Sequence, residues 1–144
     1  MSALATLALK RALSAKLHPS VNVPGLGAVP FRFDAKRFDG GVKTYCRVGT
    51  CIENRSVTGS DVTAQIDVFT LDPDGSDAYR TGDVITQMLT EGGLDDHSGF
   101  AFPWIRADPA FDMTEDGPQG GEVLHLILQY RVRCQDMGRA PGRF

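Results

Sequence analysis

The residues with the clearest capacity for metal chemistry are three aspartates that follow the segment "VTAQIDVFTL". Asp72, Asp74 and Asp83 occupy the first, third and twelfth places of a calcium-binding loop. That loop needs a glycine at its sixth place and a glutamate at its end, whereas here the glycine is fourth and the glutamate is missing. The segment therefore predicts only a turn from a strand into a helix, capped by Ser76 or Asp77.

The other side chains with chemical reactivity are scattered along the chain. His18, His97 and His125 have no second histidine or cysteine at the spacing of a metal site or a catalytic triad. The sequence also lacks GxSxG, HExxH and Walker motifs, and "PGLGAV" has neither the preceding strand nor the spacing of a dinucleotide-binding loop. The adjacent acidic pairs at 95–96 and 115–116 are expected to be solvated. These patterns predict no enzyme, no cofactor and no metal site.

The three cysteines predict free thiols in a reducing cytoplasm. Cys46, Cys51 and Cys134 are an odd set without CxxC spacing, which is typical of buried thiols and not of a disulfide framework. Cys46 and Cys51 are five residues apart on a predicted strand, so we expect them to point to opposite faces and to make a poor metal pair.

Charge is distributed unevenly along a chain whose formal net charge is −3. Residues 1–60 carry nine Lys and Arg against three Asp and Glu, residues 61–121 carry two against thirteen, and residues 122–144 carry four against two. Such a chain can stack on copies of itself through surfaces of opposite sign, although the same layout also suits the solvated surface of a monomer. No run of about 18 apolar residues is present, so the sequence predicts no membrane span.

The segment 20–43 is rich in proline and glycine and predicts a long loop without regular structure. Phe31, Phe33 and Phe38 within it either pin the loop to the protein body or await a partner. Basic residues between and after these aromatics also form a weak version of a nucleic-acid-binding pattern. These basic residues are Arg32, Lys36, Arg37 and Lys43.

Hydrophobic periodicity predicts two helices and four strands. Gly82 lies in the middle of the second helix and indicates a close approach of that helix to a sheet. Pro103 limits the third strand to an edge or a bulged position. The last segment, "EVLHLILQYRVRC", alternates most clearly, and its polar side is either solvated or a seam to another subunit. The order is a helix over 2–17, strands over 44–54 and 62–71, a helix over 76–91, and strands over 100–106 and 122–134.

This order predicts an α+β fold in which an antiparallel or mixed sheet of about four strands carries two helices on one face. We expect one domain over 1–144. An acidic, turn-rich connector is predicted at 107–121, and a flexible tail is predicted at 136–144.

The succession of motifs matches a known pattern. A short N-terminal helix leads through a Pro/Gly loop to "TYCRVG", and then come "AQIDVFT", a polar turn and "DAYRTGDVITQMLT". An aromatic strand, a loop with Asp and Gly, and "EVLHLILQYRVRC" complete the series, which covers about residues 4–135. In this order the sequence resembles the tail-terminator (tail-completion) proteins of long-tailed bacteriophages and phage-derived particles.

The resemblance implies a structural virion protein at the head-proximal end of a tail, made in the cytoplasm of a bacterial host. Its copies would form a homohexameric ring that caps the tail tube, ends polymerisation of the tail tube protein, and joins the tail to the head connector or stopper protein. DNA would meet the ring only by passage through its lumen. Neither catalysis nor a cofactor nor a membrane is implied. The sequence departs from the usual pattern in its aromatic loop at 20–43 and its acidic connector at 107–121.

Opposite charge and expected exposure suggest which residues form a subunit or tube interface. The alternatives to the tail-terminator function are another head–tail neck adaptor or minor tail protein and, from a different class, a small-molecule-binding α+β module. The predicted interface residues are Arg131, Arg133, Asp108, Asp112, Glu115, Asp116, Phe31, Phe33 and Phe38.

Overall fold

Two helices and eight strands make up the part of the chain that the computed structural model describes, namely residues 2–33, 38, 41–56, 59–117 and 121–137. Both predicted helices are confirmed almost to the residue, and the predicted hairpin at 44–71 is present with longer strands. The elements are α1 (Ser2–Leu17), β1 (Ser20–Val23), β2 (Gly27–Pro30), β3 (Thr44–Ser56), β4 (Gly59–Thr70), α2 (Ser76–Gly92), β5 (Phe100–Ala101), β6 (Ile105–Ala107), β7 (Phe111–Asp116) and β8 (Glu122–Asp136).

The main sheet is organised around β8, its longest strand. β4 pairs antiparallel with one edge of β8, and β3 pairs antiparallel with β4. The short strands β5, β6 and β7 pair with β8 one after another along its other edge. The sheet thus has six strands, not the four predicted, but it is only four strands wide. The α+β class with an antiparallel sheet is confirmed.

Both helices pack on the same side of this sheet, which we call the helix face. The apolar positions of β4 and β8 that alternate along each strand meet the buried stripes of α1 and α2 in one core. A Cβ atom on Gly82 would lie 2.9 Å from Leu126 Cδ2, so the expected close approach of α2 to the sheet is confirmed. No described helix has the length and the apolar character needed to cross a membrane.

The turn before α2 is capped by residues other than those predicted. Gly75 precedes the helix with φ at 75°, a conformation that favours glycine. The Asp72 carboxylate accepts hydrogen bonds from the Asp77 backbone N–H at 3.1 Å and from the Ser76 hydroxyl at 3.0 Å. Asp74 accepts one from the Ser76 backbone N–H at 3.0 Å. The carboxylates of this turn therefore satisfy the free N–H groups of the first helical turn.

A β-bulge in β3 overturns the prediction for the first two cysteines. The register between β3 and β4 shifts between Val48 and Cys51, which inserts an irregularity into the alternation of side chains. Cys46 is buried in the core of the helix face, and Cys51 packs against that same core. The expectation of opposite faces was wrong because it assumed an uninterrupted strand.

Two segments predicted as irregular contain strands. Within 20–43, β1 and β2 form a separate antiparallel hairpin. Its strands are only four residues long and flank Pro24 and Gly25, so the sequence pattern did not reveal it. Within 107–121, β7 pairs with β8, although every residue of β7 is exposed. An edge strand without a buried side shows no apolar alternation, so periodicity could not reveal it.

The remaining edges of the sheet differ from the sequence prediction in detail. The strand expected over 100–106 is split at Pro103 into β5 and β6, both at the edge of the sheet. The tail predicted to be flexible at 136–144 begins with two ordered residues. Asp136 is the last residue of β8, and the Met137 backbone N–H donates to the Gly99 carbonyl at 2.9 Å. Residues 138–144 lie outside the described part of the chain.

Candidate functional site

The face of the sheet opposite the helices, which we call the outer face, carries a second and smaller cluster of buried residues. Tyr45, Phe69 and Val123 form this cluster, and the half-buried side chains of Phe38 and Val42 pack against it. The Tyr45 and Phe69 rings stack with their centroids 5.1 Å apart. Phe38 and Val42 therefore cover part of the outer face, which is not fully solvated.

A buried carboxylate occupies the centre of the outer face. Asp67 on β4 has no exposed surface. Its Oδ1 accepts hydrogen bonds from Gln65 Nε2 at 2.7 Å and meets His125 Nε2 at 2.8 Å, while Oδ2 accepts from Arg47 Nε at 3.1 Å. A Cβ atom on Gly49 would lie 2.7 Å from Asp67 Oδ2, so the glycine of the β3 bulge leaves the space that this carboxylate uses.

His125 on β8 connects Asp67 to the edge strand β7. Its Nδ1 lies 2.8 Å from Glu115 Oε2, and its ring stacks on Phe69 at a centroid distance of 4.2 Å. A neutral imidazole has one N–H, whereas the protonated ring can donate to both carboxylates at once. The chain Arg47–Asp67–His125–Glu115 thus extends across all four strand positions of the sheet.

The pKa shifts of Asp67 and His125 favour the charged form of each group. Burial alone would raise the pKa of Asp67, but hydrogen bonds from His125 and Gln65 and the charges of His125 and Arg47 outweigh it and lower the pKa. Burial alone would lower the pKa of His125, but hydrogen bonds and charge from Asp67 and Glu115 raise it. Both groups therefore favour ionisation, and their interaction stabilises the pairing of β4, β8 and β7.

This arrangement suits a structural clamp better than acid–base chemistry. Both ring nitrogens of His125 are engaged by carboxylates, so neither is directed at a substrate. Within the described ranges no group of three or more His, Cys, Asp or Glu residues is placed to hold a metal ion. The described cysteines are free thiols, and burial raises the pKa of Cys46 and Cys134 to about 12, which disfavours the reactive thiolate.

The two arginines predicted from the last strand both lie on the outer face with partners in the same subunit. Arg133 Nε meets Asp61 Oδ1 at 2.8 Å, and Arg131 Nη2 lies 3.8 Å from Asp108 Oδ2. The Trp104 ring has the Arg133 guanidinium 5.8 Å from its centroid and that of Arg106 at 5.2 Å. The Arg131 side chain remains 45% exposed, so it also presents positive charge to the surroundings.

The remaining acidic residues of the prediction lie on β7, the exposed edge strand. Asp112 accepts a hydrogen bond from the Tyr79 hydroxyl on α2, and Glu115 contacts His125 on the opposite face. Asp116 ends the strand and is exposed. Phe111 and Met113 are also about half exposed on this strand, so its surface combines negative charge with apolar area.

The three aromatic residues of the predicted interface have different environments. Phe31 is buried and bridges to Cys46 of β3, and Phe38 is half-buried with its ring 5.0 Å from that of Tyr45. These two contacts favour the alternative in which the aromatics pin the segment to the body. Phe33 is 72% exposed, and its ring lies 5.1 Å from Phe31. Phe33 is therefore the aromatic that offers a free surface.

Sequence reasoning missed the Asp67–His125 pair. Both residues occupy positions on the polar side of their strands, where exposure was the simplest expectation. The pair forms because β4 and β8 align so that Phe69 lies opposite His125. A register between strands 58 residues apart in sequence cannot be derived from alternation alone. A hint was available in the placement of an acidic residue inside the otherwise apolar "IDVFT".

The fold of the chain is shared with solved structures, although sequence comparison finds no relative. No protein-family model matches the chain, and no curated protein matches it. Among solved structures, the fold is similar to a chain of a structure described as "Virion of native gene transfer agent (GTA) particle". The match covers 92% of this chain and 93% of the other, with a TM-score of 0.53 and 16% sequence identity. At this identity the match establishes a shared fold along nearly the whole length of both chains.

Proposed function

We propose that this chain is a structural virion protein of a tailed phage or phage-derived particle, and more specifically a tail-terminator subunit. In this role a homohexameric ring caps the tail tube, ends its polymerisation, and joins the tail to the head connector. The observation that carries the proposal is the shared fold with a chain of a gene transfer agent virion over more than nine-tenths of both chains. The order of sequence motifs supports the same assignment independently.

The chemistry of the described surface is compatible with a protein that acts by assembly. The described charged groups Arg47, Asp67, His125, Arg133 and Asp61 on the outer face are paired with one another across strands. A subunit of a ring meets its neighbours through two different surfaces, so it needs regions of unlike character on one chain. The basic first part and the acidic middle of this sequence supply such regions.

We also propose that the outer face takes part in contacts with neighbouring subunits or the tube. Arg131 and Arg133 would act on this face, and the acidic residues Asp108, Asp112, Glu115 and Asp116 would act at the edge of the sheet. Phe33 would contribute an exposed ring, and Phe31 and Phe38 would hold the segment that carries it. Electrostatic complementarity of this kind fixes register and partner choice more than it raises affinity.

Deletion of the gene in a host that produces the particle tests the proposed function. We expect tails of abnormal and excessive length by electron microscopy, because nothing would stop tube growth. Complementation with the wild-type gene should restore uniform tails, whereas a frameshifted copy should not. Labelled protein in complete particles should lie at the junction of head and tail.

The other classes predict different outcomes for the same experiment. A neck adaptor would give tails of normal length that lack heads, and this result would reject the tail-terminator assignment. A small-molecule-binding module would leave the particles intact and would instead show a melting temperature that rises with its ligand, by mass action.

A further inference from the structure

The N-terminal helix α1 exposes an apolar and basic stripe. Leu4, Leu7 and Arg11 recur at three- and four-residue spacing and are exposed, as is His18 directly after the helix end, while the opposite side of the helix is buried in the core. The stripe, which we call the α1 stripe, is about 21 Å long at 1.5 Å per residue. Lys10 is exposed beside it, and the ring of Phe33 continues it from His18 at 5.6 Å.

The edge strand β7 exposes a surface of matching length and opposite charge. Its six residues extend about 20 Å. Phe111 and Met113 supply apolar area on the outer-face side of this strand, and Asp112 and Asp116 supply negative charge on its helix-face side, so a partner laid along the edge can reach both. Among the described residues no strand pairs with the outer edge of β7, so its backbone groups on that side lack a strand partner. An open edge with exposed apolar residues favours association, and a helix laid along it is one way in which proteins cover such edges.

These two surfaces lie at opposite margins of the subunit. α1 packs mainly over β3, which forms one edge of the sheet, whereas β7 forms the other edge beyond β8. β3 and β7 are separated by three inter-strand spacings, which is about 14 Å in the sheet. Two unlike, complementary surfaces on opposite sides of one chain produce head-to-tail association, which closes into a ring when the rotation permits.

We propose that the α1 stripe of one subunit packs against β7 of the next copy of this chain, and that this contact forms the seam between neighbours in the ring. Leu4 and Leu7 cover Phe111 and Met113, while Lys10 and Arg11 face the carboxylates of β7. The inference rests on the proposed ring and adds to it the pair of surfaces that meet. It places the partner of the acidic strand on α1, because Arg131 and Arg133 already contact Asp108 and Asp61 within their own subunit.

Charge exchange across the seam tests the inference with purified full-length chain. Lys10→Glu with Arg11→Glu reverses one side, and Asp112→Lys with Asp116→Lys reverses the other. Sedimentation measured up to about 1 mM protein gives the self-association constant. We expect each double variant to raise the dissociation constant at least about tenfold, and the quadruple variant to restore it toward the wild-type value, since opposite charges face each other again.

A matched control separates the seam from bulk charge. Asp95→Lys with Asp96→Lys makes the same change of net charge on the exposed loop after α2 and should leave association unchanged. Melting curves of all variants check that the subunit remains folded. Since Asp112 also contacts Tyr79, Asp116→Lys alone supplies an acidic-side variant that leaves that contact in place.

The outcomes distinguish this inference from the proposed function. Failure of the quadruple variant to restore association, or unchanged association of the double variants, rejects the seam while tail length can still establish the terminator role. A wild-type chain that remains monomeric up to about 1 mM also rejects it, because complementary surfaces on one chain must bind each other at high concentration. Normal tails in the deletion strain would instead reject the ring on which the seam depends.

Discussion

At the scale of single residues, the buried charge of Asp67 determines how the outer face is organised. A carboxylate without exposed surface is costly unless charged and hydrogen-bonding groups compensate its lost hydration. Arg47, Gln65 and His125 provide that compensation from strands β3, β4 and β8. Because a slip of any one strand would remove a donor, the carboxylate helps to fix the register that the apolar alternation leaves open.

The His125 network predicts a definite pH dependence of stability. His125 has a raised pKa in the folded chain, so its stabilising contribution is complete below its unfolded pKa and is lost as the pH rises through the folded pKa. Asp67 has a lowered pKa, so its contribution is present above its unfolded pKa and is lost as the pH falls. We expect the free energy of unfolding in urea to decrease from about pH 6 to about pH 9 because of His125.

His125→Gln should remove this decrease and lower stability by about 1–3 kcal/mol at about pH 6, since hydrogen bonds to charged groups are lost. His97→Gln serves as the control, because the His97 ring nitrogen contacts the Ser98 hydroxyl and the residue lies outside the network. A wild-type profile that stays level across this range, or a His125→Gln profile that still declines, would contradict the role assigned to the imidazole.

At the scale of elements, apolar spacing in the sequence located the helices and strands that bury one side. α1, α2, β4 and β8 each bury one side, so apolar spacing located them within a few residues. β7 could not be found in this way, because it is held by backbone pairing to β8 and by contacts of Asp112 and Glu115 and not by burial of its own side chains. The bulge in β3 was equally hidden, since one irregular residue does not alter the average pattern.

The packing of α2 on the sheet predicts an unusual response at Gly82. Alanine normally stabilises a helix relative to glycine by about 1 kcal/mol. Here a Cβ atom would lie 2.9 Å from Leu126 Cδ2 and 3.1 Å from Leu128 Cδ2, both in the buried core, and overpacking of this kind costs about 1–3 kcal/mol. We therefore expect Gly82→Ala to be neutral or destabilising, and Gly82→Val to be destabilising by more than Gly82→Ala.

Asp83→Ala provides the comparison, because this exposed neighbour in the same helix gains propensity without meeting the sheet. Chemical denaturation of the three variants gives the changes in unfolding free energy. Stabilisation of about 1 kcal/mol by Gly82→Ala would show that α2 can move away from β8, and the packing argument would then fail.

At the scale of the whole molecule, the two faces of the sheet have separate roles. The helix face contains the main apolar core and accounts for the fold, whereas the outer face concentrates charge pairs and a small aromatic cluster. Charge pairs at a surface contribute little to stability because water screens them. If the outer face contacts a partner as we propose, desolvation at that contact would strengthen the same interactions.

The proposed contact through the outer face predicts that substitution of Arg131 and Arg133 impairs assembly more than it destabilises the fold. Arg131→Gln with Arg133→Gln removes positive charge without placing new carboxylates beside Asp108 and Asp61. Loss of the exposed Arg131 pair costs little, whereas loss of the half-buried Arg133–Asp61 pair should lower the melting temperature modestly. Arg131→Glu with Arg133→Glu should act more strongly on assembly, because it sets like charges against any acidic partner surface.

When each double variant of Arg131 and Arg133 complements the deletion strain, we expect fewer tails of normal length than with the wild-type gene. The double glutamate variant should reduce this number more than the double glutamine variant. Arg80→Glu on α2 is the control, since it reverses an exposed arginine on the helix side of the sheet. Tail-length distributions measured by electron microscopy give the answer. If the double glutamate variant leaves both self-association and tail length at wild-type values, the outer face makes no contact in the particle, and its charge pairs serve only the subunit that contains them.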